Sequence, residues 1–229
     1  MKTSKLFLAA MAFVAAEARA DFDQANAAFA GQRYAEAASG YEDVIRQNGY
    51  SAPVLFNLGS AYYLDGKLGR AILNYERAQL LAPRASDIAA NLSIARCKAG
   101  IVEQPAHLLS TNELSWLGSS ALVCFGAAVL WRQINARAGA GWIIASGCML
   151  AAVMIALFLR YPESGRAIVV AKSAPAYIAP VTVTQPLFTL TEGQPVSIRK
   201  VNGDFLLVDA GNSRRGWVTP SMVERVTPM

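Results

Sequence analysis

Small and large apolar residues recur at helical spacing between residues 21 and 97, with a period of about 34 residues. The clearest copy reads Leu58-Gly59-x2-Tyr62, then Ala71-x3-Tyr75, Ala78 and Pro83, and the equivalent positions one period earlier hold Ala25, Ala28, Ala37 and Tyr41. A small residue is needed where two helices cross closely, and tyrosines fill the remaining space. The pattern predicts two helix pairs and a closing third helix, Ser86 to Cys97, because one pair cannot bury its apolar face alone.

Glycine and proline mark the expected ends of these helices. Gly31 and Gly66 stand where the first helix of each pair should end, and a left-handed backbone conformation there costs glycine little. Pro83 follows the second helix of the second pair, because proline cannot continue a helical turn. The helical domain is therefore expected to occupy residues 21–97.

Two stretches of 18 residues without a charged side chain follow, at 114–131 and 142–159. As helices, each would be ~27 Å long, close to the ~30 Å hydrocarbon core of a bilayer. Trp116, Trp131 and Trp142 stand near the ends, as interfacial aromatic residues do. We expect two transmembrane helices after a linker at 98–113. The alternative is that both are buried helices of a soluble core.

The two ends of this membrane hairpin are expected to face outwards. The intervening loop, 132–141, contains Arg132 and Arg137 and no acidic residue, which favours the cytoplasmic side. Residues 1–20 have a basic start, a short apolar run and small residues before Asp21, as in a signal peptide, with an uncleaved anchor as the alternative. Both larger parts would then lie on the periplasmic face of a bacterial inner membrane. No Asp, Glu, Lys, Arg or His lies inside either span, which indicates an anchor and not an ion pathway.

From Gly165 onwards, β-branched residues alternate with polar ones and are separated by proline and glycine. Turns are predicted at 191–194, 202–204 and 210–212. Short strands at this spacing indicate a small all-β barrel or sandwich over residues 165–229. The expected fold class is therefore multidomain: a helical repeat array, a two-helix membrane hairpin and a small all-β domain.

Composition agrees with a membrane protein and narrows the chemistry. Of 229 residues, 54% are apolar and 16% charged, against ~25% charged in an average soluble domain. The net charge of +5 is spread along the chain, so no nucleic-acid groove is expected. With one His, three Cys and no phosphate-binding or nucleophile-elbow motif in the sequence, we expect a non-enzyme without catalytic residues, cofactor or metal. A Cys97–His107 nucleophile pair lacks a third, orienting group.

These motifs resemble known families. The repeat resembles the tetratricopeptide (TPR) motif, with Leu55 where that family usually has tryptophan. The segments Leu190-x-Glu192-Gly193-x2-Val196-x-Ile198, Gly203-Asp204-Phe205 and Gly216-Trp217-Val218 resemble the bacterial SH3-like domain, with Phe205 in place of the usual tryptophan. In this order the parts resemble the BatE-like proteins of the Bacteroides aerotolerance group. That resemblance implies an adaptor in an envelope complex linked to oxygen or stress tolerance, with von Willebrand factor A-domain membrane proteins as partners.

The resemblances also imply where partners bind. TPR arrays bind peptides on the concave face lined by their first helices, which here implies Phe22, Asn26, Phe29, Phe56, Ser60, Tyr63 and Ile94, unless this face packs on its own neighbours. SH3-like domains bind protein partners or cell-wall peptides, which implies Tyr177, Phe205 and Trp217, with core packing as the alternative for the last two. A peptidoglycan-binding anchor acting through the SH3-like domain is the alternative to the adaptor.

Overall fold

The structure, a computed structural model, describes residues 21–101, 111–134, 141–160, 165–181 and 185–227. The chain divides into two compact units: Met1–Glu103 with Gly165–Met229, and Gln104–Ser164. Helices dominate the described residues and are followed by a small β-sheet region. The predicted order of helices and β-structure is confirmed at this level. The signal peptide predicted at 1–20 lies outside the described residues.

The helical part of the first unit consists of antiparallel pairs of neighbouring helices. Helix α1 covers residues 21–30 of the described chain. It is followed by α2 (Tyr34–Asn48), α3 (Ala52–Leu64), α4 (Leu68–Leu81) and α5 (Ser86–Lys98). Leu92 and Ala95 of α5 are buried in the same apolar cluster as residues of α2, α3 and α4. The last helix therefore covers the apolar side of the second pair, as expected of a closing layer.

Close helix crossings occur at the small residues that the repeat pattern selects. A Cβ atom added at Gly59 would lie 2.8 Å from the ring of Tyr75, which is 1% exposed. At Gly40, it would lie 2.9 Å from Cβ of Ala25 in the first pair. Such separations leave no room for a side chain, so both crossings require glycine.

Helix α1 ends next to Gly31, as expected, but Gly31 is not the residue with the left-handed conformation. Gly66 has φ +79° after α3, as predicted, but after α1 the left-handed residue is Gln32, with φ +60°. Gly31 still donates its N–H to the carbonyl of Ala27 at 3.0 Å, so the helical turn continues through it. Gln32 lies one period before Gly66, and the repeat itself therefore places the turn at this residue.

The second unit contains two helices, α6 (Thr111–Ile134) and α7 (Gly141–Arg160). They run antiparallel, because a Cβ atom at Gly118 would lie 3.2 Å from Val153 and one at Gly147 would lie 3.5 Å from Phe125. In α6, Glu113–Ile134 is long and apolar enough to cross a membrane, whereas the apolar stretch described in α7, Gly141–Ala156, is shorter.

Large apolar side chains on these two helices are exposed. Trp116 and Val123 on α6 are 76% and 71% exposed, and Trp142 on α7 is 81% exposed. This is the reverse of what buried helices of a soluble core would show. The predicted spans 114–131 and 142–159 fall within α6 and α7, and their membrane crossing stays a prediction.

The described residues of the β-region form seven strands in two sheets. They are β1 (Arg166–Val169), β2 (Ser173–Ala176), β3 (Phe188–Thr191), β4 (Pro195–Asn202), β5 (Phe205–Asp209), β6 (Arg215–Val218) and β7 (Val223–Arg225). The larger sheet has the order β6-β5-β4-β1-β7, and β2 pairs with β3 in the smaller one. Every pairing is antiparallel. Small and β-branched residues such as Ala167, Val169 and Val208 form the core between the sheets.

Gly59→Val is expected to lower the free energy of unfolding by about 2–3 kcal/mol, because the added side chain must displace the buried ring of Tyr75. Urea titration of the detergent-solubilised protein measures this. Ala35→Val adds a similar bulk to an exposed position of α2 and should cost less than ~1 kcal/mol. Equal effects of the two substitutions would contradict a close crossing at Gly59.

Candidate functional site

The aromatic residues predicted to line the helical binding face pack partly against the helices behind them. The ring of Phe22 lies 5.9 Å from that of Tyr41, and the ring of Phe56 lies 5.8 Å from that of Tyr75. Phe22, Phe29, Phe56 and Tyr63 are all half-buried against the helical core. Ile94 on α5 differs, because 54% of it is exposed. The face therefore presents the edges of rings whose positions are set by packing.

The polar members of the predicted face are engaged within the helical array. Asn26 accepts hydrogen bonds from the hydroxyl of Tyr41 at 2.7 Å and from the amide of Asn57 at 3.3 Å. Ser60 accepts one from the hydroxyl of Tyr75 at 3.0 Å. Burial raises the pKa of both tyrosines, so their hydroxyls remain donors at neutral pH. Asn26 and Ser60 thus join neighbouring helices, a role that the sequence does not reveal.

One cation lies at the α5 side of this face. The ammonium group of Lys98 is 4.3 Å from the ring centre of Tyr63, a cation–π contact between α5 and α3. Lys98 is exposed, so this contact forms a charged rim beside half-exposed rings. The face that the structure describes is therefore apolar and aromatic, with one basic edge.

The three aromatic residues predicted for the β-region lie outside its core. Phe205 and Trp217 are half-buried and are not members of the apolar core cluster, so the alternative that they form the core does not hold. Tyr177 pairs with Trp217 through two backbone hydrogen bonds of 2.8 and 2.7 Å. Leu206 and Val208 of β5 face the core, so Phe205 and Leu207, which alternate with them, face outwards.

Strand register places these outward residues next to one another. Trp217 is opposite Leu207, and Leu207 is opposite Lys200. With Tyr177 opposite Trp217, one row crosses the outer surface of the sheet. We call this surface, made of Tyr177, Lys200, Phe205, Leu207 and Trp217, the outer sheet face. It combines half-exposed aromatic rings with a basic edge.

The β-region and the helical array are joined by a buried ion cluster. Glu76 on α4 is 6% exposed and accepts two hydrogen bonds from the guanidinium of Arg166 on β1, at 2.8 and 3.0 Å. Arg96 on α5 donates a further one at 2.8 Å. Two guanidinium groups thus compensate one buried carboxylate, and the three side chains connect α4, α5 and β1.

The next residue along α4 also binds the β-region. Arg77 donates to the carbonyl oxygens of Arg225 and Val226 at 2.7 and 3.1 Å. It also pairs with Glu224 at 2.8 Å, and its side chain is only 10% exposed. These carbonyls belong to the end of edge strand β7, so Arg77 satisfies backbone groups that would otherwise face water.

A third contact lies at the start of α4. Lys67 precedes the helix and makes no side-chain cap. Instead, Glu192 from the turn after β3 accepts a hydrogen bond from the N–H of Gly69 at 2.9 Å. A carboxylate is favourable there because the first N–H groups of a helix lack partners and carry partial positive charge. The β-region thus supplies the cap of α4.

Two glycines allow the backbones to approach at this contact. A Cβ atom at Gly69 would overlap the carbonyl oxygen of Val169 on β1. Gly193, with φ +82°, would place a Cβ atom 2.7 Å from Ile72 and 2.9 Å from Ile101. In addition, Ile168 and Val226 of the β-region belong to the apolar core of the helical array. The segments 21–97 and 165–229, predicted as separate domains, thus lie in one compact unit and are joined by these contacts, while the β-region also has a core of its own.

A cleft of about 160 Å³ lies where α2, α3 and α4 meet β7. Its charged groups form pairs, Arg70 with Glu42 at 3.6 Å and Arg77 with Glu224 at 2.8 Å. Tyr62 donates a hydrogen bond to Glu42 and accepts one from Arg70. Burial and the nearby carboxylate raise the pKa of Tyr62 to about 12, so the hydroxyl keeps its proton. The cleft is electrically balanced and stabilises the joint between helices and β-region.

The described residues hold no group of three or more His, Cys, Asp or Glu side chains that could bind a metal ion. Cys97, Cys124 and Cys148 are free and exposed. His107, considered above as a partner of Cys97, lies outside the described residues. No known family model matches the chain, and a search of curated proteins finds no match either.

Glu76→Gln is expected to lower the free energy of unfolding by about 2 kcal/mol, because two guanidinium groups lose their buried counter-charge. The effect should be smaller than the ~3–5 kcal/mol of a wholly buried pair, since Arg96 and Arg166 are 18% and 27% exposed.

Glu36→Gln is the matched control. Glu36 pairs with Arg33 at 3.3 Å, but the side chains of Arg33 and Glu36 are 62% and 58% exposed. Loss of this pair should lower the free energy of unfolding by at most ~0.5 kcal/mol. Urea titration in detergent compares the two variants. If Glu76→Gln lowers the free energy of unfolding by no more than Glu36→Gln does, a structural role of the buried cluster is contradicted.

Proposed function

We propose that this protein is a membrane-anchored adaptor in which a TPR-type array presents an aromatic binding face and an SH3-like domain supports it. The observation that carries the proposal is the row of half-buried rings on α1 and α3, held from behind by Tyr41 and Tyr75. Half-exposed aromatic side chains on a rigid support are typical of the residues that dominate protein interfaces. The spacing of Gly59, Tyr62, Ala71 and Tyr75 supports the TPR assignment.

The anchor is proposed to be a transmembrane hairpin of α6 and α7. Both flanks of residues 104–164 belong to one compact unit. A body on one side of a bilayer requires an even number of crossings between its two halves, which supports α7 as a second span beside α6. The short apolar stretch of α7 is compatible with crossing, because bilayers adapt to a short span by local thinning.

This arrangement agrees with the expected inner-membrane location with both folded parts on the periplasmic side. It also agrees with the resemblance to BatE-like proteins, whose proposed partners are membrane proteins with von Willebrand factor A domains. The array face is apolar and has Lys98 at its edge, which supports a peptide partner with both apolar and charged residues. The role proposed for the complex is in oxygen or stress tolerance, without an enzymatic activity of this chain.

The alternative function is a peptidoglycan-binding anchor acting through the outer sheet face. It is favoured by one observation: Tyr177, Phe205 and Trp217 lie outside the core and are available to stack on a ligand. Because the β-region shares a core with the helical array, this alternative has to be tested on the full chain.

Phe56→Ala/Tyr63→Ala is expected to reduce partner capture at least about tenfold, because truncating central aromatic residues of an interface commonly costs 2 kcal/mol or more. Crosslinking in intact membranes, followed by identification of the attached proteins, measures this. Leu80→Ala/Leu81→Ala removes exposed apolar side chains from α4 and is the matched control. Thermal unfolding of all variants separates lost binding from lost folding, and unchanged partners in a folded double variant would reject the array face as the binding surface.

If the alternative holds, Trp217→Ala will lose co-sedimentation with purified cell wall while Phe56→Ala/Tyr63→Ala keeps it. Full-length protein in detergent is used for both measurements. Absence of wild-type co-sedimentation rejects the peptidoglycan-binding anchor.

A further inference from the structure

A basic cluster lies on the β-region beside the point where the chain arrives from α7. Strand β4 has a register shift between Ile198 and Lys200, which leaves Arg199 as an extra residue. Arg199 and Lys200 are exposed, and so is Asn202, which lies opposite Phe205 on the outer sheet face. A Cβ atom at Gly165 would lie 2.7 Å from the carbonyl oxygen of Ile198. The cluster is thus next to the first described residue after α7.

The cluster carries an excess of positive charge. Arg199 and Arg215 both approach the carboxylate of Asp209, at 3.6 and 3.1 Å. The backbone N–H of Gly211 and the guanidinium of Arg215 lower the pKa of Asp209, which stays ionised at neutral pH. One carboxylate is therefore shared by two guanidinium groups, and Lys200 adds a third cation on the same outer sheet face.

We propose that Arg199, Lys200 and Arg215 dock on the anionic lipid headgroups of the bilayer in which the protein is anchored. This inference rests on the proposed membrane crossing of α7. Only residues 161–164 separate that helix from Gly165, and five chain steps reach at most ~18 Å. Exposed cations this close to a bilayer match the chemistry of its anionic surface, where each basic residue gains about fivefold in binding.

The position of Trp217 and Tyr177 agrees with this assignment. Both lie on the outer sheet face in the same row as Lys200 and are half-buried. Tryptophan and tyrosine favour the headgroup region, because their rings are apolar at one end and polar at the other. The β-region would therefore lie against the bilayer surface and orient the helical array that shares its core.

The test uses the full chain with Cys97, Cys124 and Cys148 replaced by serine and an Asn202→Cys substitution carrying an environment-sensitive fluorophore. The protein is reconstituted in phosphatidylcholine vesicles with or without about 30% phosphatidylglycerol, which supplies the negative surface potential. Quenching by a lipid carrying a shallow spin label is compared with quenching by aqueous iodide. We expect lipid quenching to dominate only in the anionic vesicles, and to be lost near 1 M salt, where the Debye length is ~3 Å.

Arg199→Glu/Lys200→Glu should reduce the ratio of docked to undocked protein by at least about 25-fold. Arg33→Glu/Arg46→Glu makes the same charge change at exposed positions of α2 and should leave quenching unchanged. Equal iodide quenching in both kinds of vesicle would overturn the proposal. Lipid quenching that is unchanged in the Arg199→Glu/Lys200→Glu variant would overturn it as well. If this face binds a protein partner and not lipid, the label will also stay accessible to iodide in both kinds of vesicle, because the vesicles contain no other protein.

Flotation of the vesicles after alkaline extraction distinguishes this failure from failure of the anchor. Protein that floats with the vesicles but keeps its label in water contradicts only the lipid-docking face. Protein that is extracted contradicts the proposed membrane hairpin itself.

Discussion

The architecture of this chain depends on the buried carboxylate of Glu76 and the two guanidinium groups that compensate it. Arg96 comes from the last helix of the array and Arg166 from the first strand of the β-region, so one carboxylate joins three elements. Arg77 and Gly69 add backbone-directed contacts on the same helix. An unpaired carboxylate at this place would be costly, and the cluster therefore favours one relative position of helices and sheet.

This joint has a consequence for the whole molecule. Because Ile168 and Val226 of the β-region pack in the core of the helical array, the segments before and after the second unit form one compact unit. The proposed adaptor thus has two surfaces with a fixed relation to each other, one aromatic on the helices and one aromatic and basic on the sheet.

Local features of the fold could be predicted from the sequence, and long-range contacts could not. Gly59 and Tyr75 follow a repeat whose spacing reflects a helix crossing. The same period makes Gln32 equivalent to Gly66 and so places the turn there. Glu76 and Arg166 are separated by 90 residues, and nothing in their surroundings distinguishes them from surface charges. Glu192 and Gly193 were predictable as a turn, but the cap that they supply to α4 depends on a partner 123 residues away. Asn26 and Ser60 fit a binding face by position, yet their hydrogen bonds join neighbouring helices.

The most direct test of the joined body asks from which side of the membrane its helical array and its β-region can be labelled. Single cysteines at Ser39 on α2 and at Lys172 after β1, both exposed, are introduced in a background without the native cysteines. An impermeant maleimide is then added to cells with a permeabilised outer membrane and, separately, to inverted inner-membrane vesicles. A body held together by Glu76 predicts that both cysteines react in the cells and neither reacts in the inverted vesicles. Reaction of the two cysteines from opposite sides of the membrane would contradict it.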